Sequence, residues 1–475
     1  MYKARVGLFG IGVDAYWPQF EGLKSRLEGY LQVVHSRLML GQRVEVTNLG
    51  LVDTPEDAFE FARRFRREDV DVIFMYAAKY TLSSTVLPIL QHAKVPVILL
   101  DLQPPTAIED VAFNQVRDRS CSTGEWLARC PACTVPEVAS VFRHAGIRFH
   151  QITGTLEEDD PAWNEVSSWV DAARVESLMF QNRLGLVGHY FSGMLDKFNY
   201  LTLQCATFGG HIEMVEVDEL IGYRQQVSHR EIESRISHFC EALDVDAECE
   251  EEELARAARN SIALDRLVDA HSLGSVAYYH FGAGSPENED VMSSIVLGGS
   301  LLNARGVQVA GEYEVKNVQA MKILDAFGVG GSFAEFYTMD FTNDVVLMGH
   351  DGPGNISIAQ GRALVRPMQV YHGRVRHGLS VEMSVKHGPV TVLSVVETLA
   401  GKLKLLVAEG ESVSGPLMEV GNTISRYRFP CGARQFVSQW SELGPAHHCA
   451  VGVGHIATKI ECLASLLEIE MTQVC

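Results

Sequence analysis

The chain has 475 residues, of which 47% are hydrophobic and 21% charged, and its formal net charge is -20. This length predicts about two to four domains with sizeable cores. The acidic balance argues against nucleic acid and anionic membrane surfaces as partners, because both carry negative charge.

The start of the chain and its hydropathy predict a cytoplasmic protein. Residues 1–5 lead straight into a strand, without the long apolar segment of a signal peptide. No run of about 18 apolar residues is present, so no transmembrane helix is expected.

Ten cysteines are scattered along the chain. Cys130 and Cys133 form a lone C-x-x-C pair, and no second pair follows that would complete a zinc site. We therefore expect reduced thiols in a reducing compartment.

Residues 4–150 alternate between strand-like and helix-like patterns. Strands are predicted at Ala4 to Phe9, Arg43 to Leu49, Val70 to Tyr76 and Val95 to Leu100, with helices at Phe20 to Leu38, Pro55 to Arg67 and Val86 to Ala93. Repeated strand–helix units predict a parallel, doubly wound, Rossmann-like sheet, which we assign to an α/β domain at residues 1–175.

The first turn, Gly10-Ile11-Gly12-Val13-Asp14-Ala15, matches the dinucleotide fingerprint. The acidic residue that would bind a ribose is absent, because Asn48 and Leu49 end the second predicted strand. A nicotinamide-dependent oxidoreductase is thus the least favoured function. We interpret the turn as a substrate-side loop that presents Tyr16, Trp17 and Gln19, although a plain core-capping aromatic turn has the same pattern.

The next stretch, residues 101–133, is predicted to be rich in loops, and Gln103 within it is a further candidate substrate contact. A second α/β pattern covers residues 176–328, with strands at 183–190, 211–216 and 275–281 and a charged helical region at 231–269. His189 and Phe281, at the ends of two of these strands, are candidate pocket residues, and a core or surface role fits each of them equally well.

From residue 329 to 475 strand-like runs dominate. They cover residues 375–386, 389–397 and 402–408, and a helix is predicted only at 457–468. The predicted fold is therefore two Rossmann-like α/β units followed by a β-rich, barrel-like domain.

Four potential metal ligands stand beside glycine turns in the last two regions. Glu312 follows an apolar run and a glycine, Glu335 follows Gly330-Gly331, and His350 ends a strand before a sharp turn. One histidine of the pair His447-His448 completes the set. Oxygen and imidazole donors without thiolate suit Mn2+, Co2+ or Fe2+ and argue against a structural zinc site.

These segments, Ala-Gly-Glu at 310–312, Gly-Gly-Ser-Phe-x-Glu at 330–335, Gly-His at 349–350 and Ala-His-His at 446–448, resemble the L-arabinose isomerase and L-fucose isomerase-like family of metal-dependent aldose–ketose isomerases. The resemblance implies a divalent ion, usually manganese, held by Glu312, Glu335, His350 and His448, with the two glutamates as catalytic acid and base. His447 is then a candidate substrate contact.

The resemblance also implies a small-molecule sugar substrate and a homo-oligomer, in which trimers pair into hexamers and the first domain of one subunit closes the metal site of its neighbour. The family's His-Gly-Gly element is not evident in residues 101–133, so the sugar stays open. The same residues are also compatible with an epimerase that uses the same enediolate chemistry, or with a non-catalytic sugar-binding protein.

Overall fold

The computed structural model describes residues 2–41, 43–108, 110–116, 118–279, 285–371 and 374–475. The chain divides into two compact units, Met1–Ser177 and Leu178–Cys475. No helix among the described residues is long and apolar enough to cross a membrane.

The described part of the first unit is a parallel α/β structure. Its strands are β1 (Ala4–Ile11), β2 (Val44–Val52), β3 (Val72–Tyr76), β4 (Val97–Gln103) and β5 (Phe149–Thr155), and its helices are α1 (Leu23–Leu38), α2 (Pro55–Arg67), α3 (Ser83–Ala93), α4 (Asp110–Asn114), α5 (Arg119–Leu127) and α6 (Val135–His144), with α7 (Ala162–Gln181) at the boundary. The strand order is β2-β1-β3-β4-β5, and every pairing is parallel. This confirms the predicted doubly wound sheet.

Local chemistry explains why most of these elements were predictable. All five residues of β3 are buried, as expected for a central parallel strand. Helix α2 starts where Thr54 accepts a hydrogen bond from the Asp57 amide at 3.1 Å, and arginines fill its last turn. Helix α5 contradicts the expectation of a loop: Asp118 caps it through the Cys121 amide at 2.8 Å, although its serines and glycine are weak helix formers.

The second unit begins with another parallel sheet. The strands are β6 (Arg183–Gly188), β7 (His211–Val215), β8 (Asp244–Val245), β9 (Ser275–Tyr279) and β10 (Gln308–Ala310), and the helices are α8 (Leu201–Phe208), α9 (Val217–Gln225), α10 (His229–Ala242), α11 (Glu251–His271), α12 (Pro286–Ser293), α13 (Val296–Ala304) and α14 (Val315–Phe327). Strands β10-β9-β6-β7 form the sheet, with parallel pairings. This confirms the second predicted α/β pattern.

The remaining described residues form the β-rich part. It comprises β11 (Ser332–Asp340), β12 (Val345–His350), β13 (Leu364–Tyr371), β14 (Arg374–Glu382), β15 (Gly388–Glu397), β16 (Leu403–Val413), β17 (Thr423–Arg428), β18 (His448–Val453) and β19 (Glu470–Gln473), with α15 (Ala433–Glu442) and α16 (Ala457–Leu466). The order β15-β18-β11-β12-β17-β16 closes on itself, because β15 also pairs with β16. This closure confirms the predicted barrel-like domain, while α15 was not predicted.

Two cysteines depart from the sequence-based expectation. Cys431 and Cys475 are joined in a disulfide, so the prediction of reduced thiols was wrong for this pair. Cys130 and Cys133 are free thiols.

Candidate metal centre

A strained turn after β10 presents Glu312. Glu312 and Tyr313 both have left-handed backbone angles, with φ of 56° and 59°. Such angles cost non-glycine residues on the order of 1–3 kcal/mol each, and they concentrate at functional sites. The turn is held by the Tyr313 amide, which donates to the Tyr278 carbonyl at 2.9 Å. As a result the Glu312 side chain is buried at the carboxyl edge of the parallel sheet.

The barrel contributes the other three candidate ligands from neighbouring antiparallel strands. Glu335 on β11 lies directly opposite His448 on β18 and Gly349 on β12. A Cβ at position 349 would lie 1.8 Å from the Thr423 carbonyl oxygen, so only glycine lets β12 approach β17 beside His350. Side chains of opposed residues lie on one face, within contact distance of each other.

These elements bring the four predicted ligands together. Glu312 Oε1 lies 3.9 Å from His350 Nε2, and Glu312 Oε2 lies 3.7 Å from His448 Nε2. One donor atom each from Glu335, His350 and His448 also lie within 4.8 Å of one another. The two histidine rings are 5.1 Å apart between centroids.

A further acidic side chain lies beside Nδ1 of each of these two candidate ligand histidines. Asp351 Oδ1 lies 3.1 Å from His350 Nδ1, and Glu314 Oε2 lies 3.6 Å from His448 Nδ1. The Phe333 ring packs against both imidazoles with centroid distances of 4.4 Å. Nε2 of both rings is directed toward Glu312, and the Gly352 amide donates to His350 Nδ1 at 3.2 Å.

The cluster concentrates negative charge in a buried place. Burial raises the pKa of Glu314 to about 8, although Lys316 and Lys197 oppose the shift. Burial also raises the pKa of Glu335, against the opposing effect of His350. For His350 burial lowers the pKa, but the carboxylates of Asp351, Glu312 and Glu335 outweigh it and raise the pKa above its usual value. Both kinds of shift are relieved when a cation enters such a site.

The donor set fits a divalent ion. The two carboxylates lie close to the same two imidazoles, and the distances of 3.7 and 3.9 Å from Glu312 to the histidines suit donors that share one ion at about 2.1 Å each. Oxygen and nitrogen donors of this kind suit Mn2+, Co2+ or Fe2+.

The two neighbouring histidines have different surroundings. His448 is buried and belongs to both groups of potential ligands, one with Glu335 and His350 and the other with Glu312 and His447. His447 is more exposed, and its Nδ1 lies 2.6 Å from Asp196 Oδ2, which also accepts from the His447 backbone amide at 3.0 Å.

Lys197 is a functional candidate that the sequence did not reveal. Its side chain is fully buried, and its Nζ donates to Glu312 Oε2 at 2.5 Å. The two residues are 115 positions apart, and nothing in the local sequence of Lys197 marks it. Glu314 and Asp351 were also missed, although Asp351 directly follows His350 and Glu314 is two residues after Glu312, so their proximity to the motif residues was a usable signal.

The predicted pocket residues of the second unit have separate outcomes. His189 follows β6, is exposed and packs its ring 5.7 Å from Tyr279. Phe191 lies 5.0 Å from the same tyrosine and 4.9 Å from Lys197 Nζ, so a row of rings leads from His189 toward the candidate centre. Phe281 lies outside the described residues.

The predicted substrate contacts of the first unit form their own cluster, with Gln103 apart at the exposed end of β4. Trp17 Nε1 donates to Asp53 Oδ2 at 2.6 Å, and Gln19 Nε2 donates to the Ala15 carbonyl at 2.6 Å. The Tyr16 ring covers Lys79 Nζ at 3.7 Å.

The glycine turn after β1 has a packing explanation. A Cβ at Gly12 would lie 2.6 Å from the Trp17 ring, so the glycine accommodates this ring at the place where the dinucleotide fingerprint would need room for phosphates.

A sequence comparison bears on the class of protein to which this candidate centre belongs. Residues 330–470 match the family model described as the L-arabinose isomerase C-terminal domain. This match supports the arabinose isomerase family and a sugar isomerase. The matched stretch is under a third of the chain and contains Glu335, His350, His447 and His448, but not Glu312. None of the curated proteins matches the chain.

Solved structures with some similarity are sugar-binding or substrate-binding proteins of ABC transporters. A periplasmic solute-binding protein from Actinobacillus succinogenes with bound D-allose has 11% identity, covering 65% of this chain and 78% of that chain, with a TM-score of 0.18. A solute-binding protein from Burkholderia multivorans with an unknown ligand has 10% identity, covering 65% and 98%, with a TM-score of 0.18.

A third, a substrate-binding protein from Sphaerobacter thermophilus, has 13% identity, covering 79% of this chain and 96% of that chain, with a TM-score of 0.17. Similarities this low indicate neither fold nor function.

Proposed function

We propose that the protein is a metal-dependent aldose–ketose isomerase that acts on a small sugar. The observation that carries this proposal is that Glu312 and Glu335, which come from separate segments of the chain, each lie close to both His350 and His448. The match of residues 330–470 to the L-arabinose isomerase C-terminal domain supports the same reaction class.

The reaction moves one proton between C1 and C2 of the sugar and another between the two oxygens. A bound divalent cation, of which Mn2+ is our first choice and Co2+ or Fe2+ the others, supplies the positive charge that stabilises the developing enediolate. The chain's own task is then to hold the ligands, exclude water and move protons.

Glu312 and Glu335 are the proposed acid–base pair. Because burial raises the pKa of Glu335, its carboxyl suits the role of proton donor. Glu312, which accepts from the Lys197 ammonium, suits the role of the carboxylate that removes the carbon-bound proton. The Phe333 ring packs against both histidines.

The test is a panel of pentoses, hexoses and deoxysugars, incubated with the purified protein and Mn2+ and analysed for ketose. We expect one or a few sugars to give ketose and a Glu335→Gln variant to give none. A C2 epimer without ketose would show an epimerase instead. Tight sugar binding without any product, in protein with full metal occupancy, would show a binding protein.

In this proposal the first unit contributes to the metal centre of a neighbouring subunit. We propose a homo-oligomer, a trimer or hexamer, in which Tyr16 and Trp17 of one subunit close the metal centre of its neighbour. In a mixing experiment, the double variant Tyr16→Ala with Trp17→Ala is unfolded and reassembled with Glu312→Gln. Activity well above either parent is expected, whereas mixed oligomers that stay inactive, with subunit exchange verified by mass, would contradict an action between subunits.

A further inference from the structure

A buried ammonium group lies inside the candidate metal centre. The Lys197 side chain has no exposed surface, and its Nζ lies 2.5 Å from Glu312 Oε2. The aromatic face of Phe191 covers the same nitrogen at 4.9 Å from the ring centroid. Burial of an ammonium is costly unless a charge partner compensates, and Glu312 is that partner.

The backbone around Lys197 is fixed to the same site. Lys197 ends a short 3-10 helix, Leu195–Lys197. The preceding Asp196 holds His447 through its side chain, and the Lys316 ammonium at the start of α14 donates to the Asp196 carbonyl. Lys197 is therefore positioned from two sides by residues next to the candidate ligands.

One carboxylate oxygen then has two competing uses. Glu312 Oε2 accepts from Lys197 and also lies 3.7 Å from His448 Nε2, where a shared ion would sit. The Lys197 ammonium contacts the same oxygen that would bind the ion, so it would repel a divalent cation bound there. The repulsion is strong because the site is buried. A cation at this centre binds against that repulsion.

We propose that Lys197 is a positioning residue that weakens the affinity of the centre for its divalent ion, by holding Glu312 Oε2 and opposing the ion's charge. The inference rests on the proposed function only in that the centre binds a divalent ion. It predicts that removal of the lysine charge tightens metal binding, which is the opposite of what damage to the site would do.

The experiment measures Mn2+ affinity by electron paramagnetic resonance of the free ion, in metal-stripped full-length protein. Two neutral variants, Lys197→Met and Lys197→Gln, should bind Mn2+ at least about tenfold more tightly than wild type. Lys197→Arg keeps the charge and should stay within about threefold of wild type.

Lys322→Met serves as the matched control. It removes a lysine from α14 whose Nζ donates to the Gly306 carbonyl and is paired with none of the candidate ligands among the described residues, so Mn2+ affinity should not change. Unchanged or weaker binding in both neutral variants would overturn the inference, as would tightening in Lys197→Arg equal to that in Lys197→Met. Wild type that binds no divalent ion at all would instead overturn the proposed function.

Discussion

Among the described residues, each of the two units has one lysine with no exposed surface, and these two lysines differ in what surrounds them. Lys197 of the second unit donates to the Glu312 carboxylate at 2.5 Å. Lys79 of the first unit has no hydrogen-bond acceptor among the described residues and faces the rings of Tyr16 and Trp17, 3.7 and 5.2 Å from their centroids. Burial lowers the pKa of Lys79 to about 8.

The ammonium group of Lys197 is therefore paired with a carboxylate, whereas that of Lys79 contacts aromatic rings. A carboxylate partner compensates much of the cost of burying an ammonium, whereas aromatic rings compensate about 0.5–2 kcal/mol. We infer that the charges of the second unit are arranged for an ionic ligand. In the first unit the Lys79 ammonium is covered by the rings of Tyr16 and Trp17, which belong to one short turn.

The largest expected effect comes from removing Glu312. Glu312→Gln should lower the rate of ketose formation by about 10²–10⁴-fold, because a neutral amide cannot accept the carbon-bound proton of the substrate. It should also lower the free energy of unfolding by about 3 kcal/mol, because the Lys197 ammonium is left buried without its partner. Glu335→Gln is the control, since no ion pair among the described residues joins Glu335 to a lysine or arginine; it should lose turnover with much less loss of stability. If Glu312→Gln and Glu335→Gln lowered the free energy of unfolding equally, the Glu312 carboxylate would not be the partner that compensates the burial of Lys197.

The next effect separates the two adjacent histidines. His448→Ala should weaken Mn2+ binding by more than about 100-fold, because it removes a ligand that both candidate groups share. His447→Ala should weaken it by less than about tenfold, because its ring is engaged by Asp196. Titration of each variant with Mn2+ and detection of the free ion measures both affinities. A stronger effect of His447→Ala than of His448→Ala would make His447 the metal ligand instead of His448.

Lys79 offers a test through pH. Its pKa is lowered from 10.5 to about 8, so below pH 8 the folded and unfolded states are both protonated and the folded state bears the cost of burial. Between pH 8 and 10.5 the unfolded state binds more protons, and this group's contribution to stability rises with pH by up to roughly 3 kcal/mol.

Lys79→Met should therefore stabilise the first unit at pH 7, and the gain should shrink as pH rises from about 8 to about 10. Urea unfolding followed by tryptophan fluorescence suits the measurement, because four of the five tryptophans lie in this unit. A gain that is the same at both ends of this pH range would show that the lysine is not held in the way described.

The smallest effect concerns the aromatic cover. Tyr16→Leu should cost about 1 kcal/mol of stability in the wild-type background and less in the Lys79→Met background, since the cation–π contact is then already gone. The coupling energy from this double-mutant cycle should be about 1 kcal/mol. Additive losses would mean that the ring packs over the lysine without attracting its charge.

Much of the fold followed from the sequence because its signals are local. Strands such as Val72–Tyr76 are continuous apolar runs, and helix Pro55–Arg67 carries its capping residue and its terminal charges within its own sequence. Helix Arg119–Leu127 escaped prediction because its serines and glycine are weak helix formers. Helix Ala433–Glu442 was missed although its buried residues Ala433, Phe436 and Trp440 follow the helical spacing i, i+3, i+7.

Some residues of the candidate metal centre could likewise be predicted from local sequence signals and others could not. Glu312 and His350 each directly follow a glycine at a strand end, and Glu335 and His448 each lie four residues after a glycine, which made the four visible as a set. Lys197 and Asp196 have no such mark, because their roles arise only when the fold brings the loop after β6 against the turn after β10 and the start of β18. Long-range contacts of this kind have no signature in a single sequence.

The most direct measurement is a Mn2+ titration of metal-stripped wild-type protein, with bound ion and ketose formation followed in the same samples. We expect no ketose without metal, and activity that rises in proportion to bound Mn2+ and levels off at one ion per chain. A His448→Ala sample alongside should bind little ion and stay inactive. Ketose formation that continues in the stripped protein, or full activity in His448→Ala, would contradict a metal centre built from these residues.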